Sequence, residues 1–154
     1  MADTIEGRLK AMDITLPAAA APAANYLPYM EAGGLLFTAG QLPLRDGTLV
    51  AKGLLGRDLD TAAGKDAAKA CAVNILAQAK AATGDLEKIR RLVKITVFVA
   101  STPDFTEQHL VANGASDLLV AVLGERGKHA RSAVGTASLP LNAPVEIEAV
   151  FEIG

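Results

Sequence analysis

Leu92-Val93-Lys94-Ile95-Thr96-Val97-Phe98-Val99 is the stretch on which the fold turns. β-Branched and aromatic side chains fit a pleated, half-buried surface, so the run predicts a strand, and Pro103-Asp104 breaks it. Upstream, residues 58–83 place Ala68, Ala72, Ile75, Ala79 and Ala82 at helical spacing with Leu76 beside them. Gly84-Asp85 supplies the stop, and the alanine face lets this helix lie close to a sheet. Downstream, a second helix is expected over about 114–123, with Leu118, Leu119 and Val122 on one side, Asn113 as its cap and Gly124 as its end. Two strands follow at about 129–137 and 145–153, joined by Ser138-Leu139-Pro140-Leu141-Asn142-Ala143-Pro144. In the last, Val145, Ile147, Ala149 and Phe151 alternate with Glu146, Glu148 and Glu152.

Ahead of the long helix, Tyr26-Leu27-Pro28-Tyr29-Met30 and Leu35-Leu36-Phe37-Thr38-Ala39 read as two strands meeting at Gly33-Gly34. Pro28 has no N–H to give to a ladder, which puts the first of them at a sheet edge. Arg45-Asp46-Gly47-Thr48 supplies a further turn. Near the N-terminus, Ile5, Leu9 and Met12 share one face of a short helix within 3–13, and Leu16 to Pro22 reads as a connector. The expectation is one domain over 22–154 with an N-terminal extension over 1–21. Its order of elements describes an α+β protein, a single sheet with two long helices packed on one face. The opposite face needs a cover, and a neighbouring subunit is the simplest one.

Composition excludes more than it proposes. The chain has 154 residues, one domain's worth, and 15 Lys and Arg against 17 Asp and Glu, without the basic surplus of a nucleic-acid binder. Aromatics are 4% of the chain and 30 residues are Ala, so the core is built from small side chains and gains from oligomer burial. Cys71 is the only cysteine and His109 and His129 the only histidines, which excludes an internal disulfide, a thiolate cluster and a three-histidine zinc site within one chain. No uninterrupted apolar window of about 18 residues occurs, so no membrane span is expected. The first 13 residues carry no continuous apolar stretch of a secretory signal, and the reading is cytoplasmic.

Gly124-Glu125-Arg126-Gly127-Lys128-His129 lacks the Ser or Thr and the glycine spacing of a phosphate loop. Cys71 falls in the apolar stripe of the long helix, where a small buried hydrophobe is the better reading than a nucleophile. The informative stretch is Lys128-His129-Ala130-Arg131-Ser132, opening a strand, with Glu146 and Glu148 in the final one. By alternation His129, Arg131 and Ala133 point to one face. A guanidinium there offers a planar fork to a carboxylate, and a glutamate nearby can position water or exchange a proton. The same residues equally describe a solvated basic loop with Arg131 in a structural ion pair.

The order and spacing of several pieces narrow this choice. Tyr26 before Gly33-Gly34, Ala39-Gly40-Gln41-Leu42-Pro43, the strand 93–99, Asp104-Phe105, Ala130-Arg131-Ser132, Leu139-Pro140 and Val145-Glu146-Ile147-Glu148-Ala149 resemble the YjgF/RidA family. These are the reactive intermediate deaminases, once labelled L-PSP endoribonucleases, and the likeness runs from about Pro22 to Ile153. It implies a chorismate-mutase-like homotrimer with sites in the clefts between subunits. The activity implied is hydrolysis of small enamine or imine carboxylates of the 2-aminoacrylate type to 2-keto acids and ammonia, without cofactor or metal. Carried over, Arg131 clamps the substrate carboxylate and Glu146, 15 positions later, holds the attacking water. Tyr26 is the cleft tyrosine, and Gly40 lies in the loop whose backbone approaches the ligand. Asn113 matches a polar asparagine near the site, with His109 the alternative according to where a short insertion falls. Ala39 stands where these deaminases commonly carry serine, and Ala133 where a cysteine is usual, a position able to act through its backbone N–H. The missing hydroxyl keeps a second function open, a non-catalytic trimeric binder of small carboxylates. Ribonuclease activity follows only from the older label, and the acidic balance speaks against it.

Overall fold

The computed structural model describes residues 3–22 and 24–154; the first two residues of the expected extension and Ala23 lie outside them. Helix α1 (Ile5–Ala11) leads into a hairpin of β1 (Tyr29–Ala32) and β2 (Leu35–Thr38), then a small hairpin of β3 (Leu44–Arg45) and β4 (Thr48–Leu49). The remainder alternates as α2 (Thr61–Thr83), β5 (Ile89–Ala100), α3 (Gln108–Leu123), β6 (Ala130–Thr136) and β7 (Val145–Ile153). Five strands form the main sheet in the order β1-β2-β7-β5-β6, and β3 and β4 form a separate pair. Every pairing in the main sheet is antiparallel except β5 with β6, which α3 connects as a crossover.

The strand at 92–99 is the centre of β5, paired on both sides from Lys94 onward. Ile95, Val97 and Val99 alternate inward and are inaccessible, and a register shift between Leu92 and Lys94 leaves Leu92 buried as well. Those side chains share one buried cluster with the inner face of α2, which presents Ala68, Cys71, Ala72, Ile75 and Ala79, all without solvent exposure. α2 itself lies chiefly against β7, and α3 lies against β5. Asp60 caps α2 by accepting from the Ala63 N–H, and Gly84 ends it in the left-handed region at φ 75°. β1 lies at the sheet edge as expected, but it begins at Tyr29, so Tyr26 and Pro28 precede the strand instead of belonging to it.

Two expectations need correction. The short helix expected within 3–13 is present as α1, but it is not a peripheral extension. Ile5 and Leu9 are buried in the same cluster as the α2 and α3 residues, so three helices pack rather than two, while Met12 stays exposed. The place of α1 is fixed by polar contacts that spacing does not reveal. Glu87 Oε2 accepts the Ile5 N–H at 2.7 Å and Arg8 Nε donates to the Val122 carbonyl at 2.6 Å. The second correction concerns α3, which starts at Gln108 rather than near 114, so Asn113 is interior and caps nothing. Asn-Gly imitates a helix boundary here. Gly114 is instead the crossing point with α2, since a Cβ there would stand 2.1 Å from the Lys65 carbonyl oxygen.

Among the described residues, no helix or strand covers the other face of the sheet. Phe37, Phe98, Val134 and Val150 share it with Thr96, Glu146 and Glu148, as the register places Phe37 opposite Val150 and Phe98 between Glu146 and Val134. Phe37 and Val134 are 42% and 45% exposed, so an apolar surface with acidic margins is open there.

Candidate active site

β6 is the edge strand next to β5, and its register puts Arg131 beside Ile95, on the helix side of the sheet. At an edge, a long side chain on that face runs along the neighbouring helix instead of entering the core. α3 receives it. Arg131 Nη1 donates to Asn113 Oδ1 at 2.9 Å and to Ser116 Oγ at 3.1 Å, and Nη2 donates to the His109 carbonyl at 3.1 Å. Asn113 and Ser116 are three residues apart, hence on one helix face. Of the five donors of a guanidinium, these bonds take three, and two remain for a bidentate acid. His129, two residues before Arg131, joins the same group: its Nε2 is 2.9 Å from Ser116 Oγ and its Nδ1 2.5 Å from the Gly127 carbonyl.

Glu146 belongs to a second group. On β7 it lies opposite Phe98, on the open face of the sheet. Gly40 passes directly over it: a Cβ at 40 would lie 2.1 Å from Glu146 Oε2. The loop is pinned by Gln41, which exchanges backbone bonds with Ile147 at 2.8 and 3.1 Å and whose Nε2 donates to the Ala39 carbonyl at 3.1 Å. Buried Gln78 then donates to Gln41 Oε1 at 3.3 Å, so a helix fixes the loop that covers the carboxylate. Burial, with the Glu148 charge second, raises the Glu146 pKa above the usual carboxylate value. Such a group holds and releases a proton nearer neutrality than a free glutamate does.

The structure therefore joins Arg131 to Asn113 and Gly40 to Glu146, while Arg131 and Glu146 face opposite sides of the sheet within one chain. Ala39 adjoins the Gly40 loop through its carbonyl. Ala133 lies beside Val97 and packs against the core. Tyr26 is 51% exposed ahead of β1. His109 gives Arg131 its main-chain carbonyl, with its side chain outside that bond. Thr38 points inward as alternation requires, its hydroxyl accepting the Ala149 N–H at 3.0 Å. Cys71 is fully buried against the Val145 carbonyl, and burial pushes its thiol pKa well up, which leaves it inert. Sequence reasoning gave no role to Ser116, Gln41 or Gln78. Gln41 stood in the quoted 39–43 motif and Ser116 lay three residues from Asn113, while Gln78 carried no signal. Among the described residues, no group of three or more His, Cys, Asp or Glu is placed to hold a metal ion.

A five-stranded mixed sheet with helices on one face and an arginine presented at its edge defines an α+β class of subunit. Residues 6–152 match the family described as "YjgF/chorismate mutase-like, putative endoribonuclease", and the chain belongs to that family. The protein TCP17 of Trypanosoma cruzi is 49% identical over 150 residues, covering 97% of this chain and 94% of its own length. Among solved structures, protein Atu1372 of Agrobacterium tumefaciens, of unknown function, is 58% identical with a TM-score of 0.93, covering 99% of this chain and 94% of its own. An endoribonuclease-labelled protein of Shewanella oneidensis is 34% identical with a TM-score of 0.96, covering 98% of this chain and 100% of its own. No helix among the described residues is long and apolar enough to cross a membrane.

Proposed function

We propose that the protein is a homotrimeric hydrolase that converts small 2-imino or enamine carboxylates to 2-keto acids and ammonia. The observation that carries this reading is the half-satisfied guanidinium of Arg131, anchored by three bonds with two donors left at an exposed sheet edge. A carboxylate next to an electrophilic carbon is held there by its acid end, leaving the carbon free to meet water. Glu146, raised in pKa and shielded by Gly40, is suited to direct that water and handle its proton. Water adds to the imine carbon, nitrogen takes up the protons, and the C–N bond breaks to release ammonia. Nothing in this sequence of steps calls for a cofactor or a metal.

The reading requires subunit association, because Arg131 and Glu146 face opposite sides of one sheet. A subunit laid on the open face covers Phe37 and Val134 and forms the second wall of a cleft that the Arg131 edge overlooks. Tyr26, exposed next to β1, and the Ala39-Gly40 loop line the approach to that face in this arrangement, and Ala133 contributes through its main chain. The expected domain bounds, 22–154 with an extension over 1–21, keep all these residues in the domain.

The test is direct. Purified protein is added to 2-aminoacrylate produced in situ by a serine dehydratase, and keto-acid release is followed. Release well above the spontaneous rate is expected; release at the spontaneous rate rejects the activity for that substrate. Ala39, which offers no hydroxyl, favours a second reading as a carboxylate binder. Arg131-dependent binding of a 2-keto acid with no turnover of any imine would establish it.

A further inference from the structure

We infer that Ser116 and His129 form a proton-transfer pair serving the ligand held by Arg131. The inference rests on the imine-hydrolase reading of the site and assigns it two residues beyond Arg131 and Glu146.

The direction of each hydrogen bond follows from chemistry. A carbonyl oxygen only accepts, so His129 Nδ1, 2.5 Å from the Gly127 carbonyl, carries the ring proton. Nε2 of the neutral ring is then an acceptor, and at 2.9 Å it receives the Ser116 hydroxyl proton. The Ser116 oxygen in turn accepts from Arg131 Nη1 at 3.1 Å. Guanidinium, hydroxyl and imidazole thus line up as donor, donor and final acceptor. A hydroxyl between a cation and a basic nitrogen, with the base held by a third group, is the arrangement that activates an O–H bond. Drawing density from Oγ toward the guanidinium lowers the cost of losing the hydroxyl proton. Anchoring Arg131 does not require this chain, because Asn113 and the His109 carbonyl already hold the guanidinium from the same helix. The pair also supplies the site with a hydroxyl, which Ala39 does not.

In the reaction, the oxygen of water bonds to the imine carbon, and the C=N π pair goes to nitrogen, which takes up one of the water's protons. For the amine to leave, the carbinol O–H must lose its proton and nitrogen must gain it. Ser116 accepts the carbinol proton as its own moves to His129 Nε2. The reverse path delivers a proton to nitrogen, and ammonia departs with the C–N electron pair as the C=O bond forms.

Wild type, Ser116→Ala and His129→Ala are assayed for keto-acid release across a range of steady-state 2-aminoacrylate concentrations. The expected result is a fall in kcat of about 100-fold or more in each variant, with KM within about twofold. Added imidazole is expected to restore part of the His129→Ala rate and none of the Ser116→Ala rate. Unchanged kcat, or a loss confined to KM, overturns the pair while leaving the hydrolase reading in place. Wild-type release at the spontaneous rate overturns both. Should His129→Ala not fold, Ser116→Ala, a one-oxygen deletion on a half-buried helix position, decides alone by its kcat-against-KM split.

Discussion

Gly40 lies over Glu146 so closely that a methyl group on its α-carbon would sit 2.1 Å from Oε2 and 3.0 Å from Cγ. The contact sets where the carboxylate can be. Oε2 is the free end of a flexible side chain, so Gly40→Ala is expected to displace the carboxylate with little effect on the fold. Keto-acid release should drop at least tenfold while the urea midpoint moves by no more than about 1 kcal/mol equivalent. Unaltered kcat in a folded Gly40→Ala protein would show that the position of Glu146 is immaterial.

The raised pKa of Glu146 has a consequence for stability with a definite sign. Burial and the Glu148 charge make the folded protein bind the proton more tightly than the unfolded chain does. Stability is therefore lost as pH rises from the unfolded value, about 4.3, through the raised folded value, and the loss is complete above it. Glu146→Gln removes the loss, so its urea midpoint should exceed that of wild type at about pH 8 and match it at about pH 4. Glu148→Gln should lower the Glu146 titration midpoint in a carbon-detected NMR titration, since it deletes the second cause of the shift.

Much of this was legible from residue pattern, and the remainder was not for physical reasons. The alternation Val145, Ile147, Ala149, Phe151 declares β7 because only one face of that strand is buried, and its observed bounds, Val145–Ile153, are those the pattern predicts. His129, just ahead of β6, and Arg131 within it are two apart in extended chain and so share a face, and both reach Ser116. Asn113-Gly114 misled because the sequence records that glycine lacks a side chain but not why. A turn and a tight helix crossing place the same demand on the chain, and only the backbone of Lys65 distinguishes them. The Gln78-Gln41-Ala39 chain was invisible for a related reason: buried amides obey no period, and their partners lie 37 and two residues away in sequence. That Arg131 and Glu146 face opposite sides of the sheet was also hidden, since the 15-residue spacing spans a loop and alternation does not carry across it.

Gly114 gives a test of the α2–α3 crossing. Unlike the Glu146 tip, the atoms in the way are main chain: the Lys65 carbonyl oxygen at 2.1 Å, its carbon at 2.8 Å and its α-carbon at 2.9 Å. Gly114→Ala cannot be relieved by a rotamer, and the two helices must move apart, opening the Ala-rich core between them. Helix propensity would favour alanine by about 1 kcal/mol, so overpacking must exceed that for destabilisation to be seen. We expect overpacking to win, with a net loss of about 1–3 kcal/mol by urea unfolding. A Gly114→Ala protein as stable as wild type would mean that the helices are not in contact there.

The fork at Arg131 is tested by keeping its charge and removing its shape. Lysine at 131 presents one ammonium with three donors from a single point, so it cannot satisfy Asn113, Ser116 and the His109 carbonyl and still offer a paired edge to a carboxylate. Arg131→Lys is expected to weaken binding of a 2-keto acid by roughly 10- to 150-fold, the worth of one charged hydrogen bond. Arg131→Ala should weaken it further. The wild-type affinity should fall with added salt less steeply than the lysine variant's, because directional bonds at a partly covered site are screened less than a point charge. Equal affinities in wild type and Arg131→Lys would reduce the residue to a source of positive charge and remove the bidentate clamp from the mechanism.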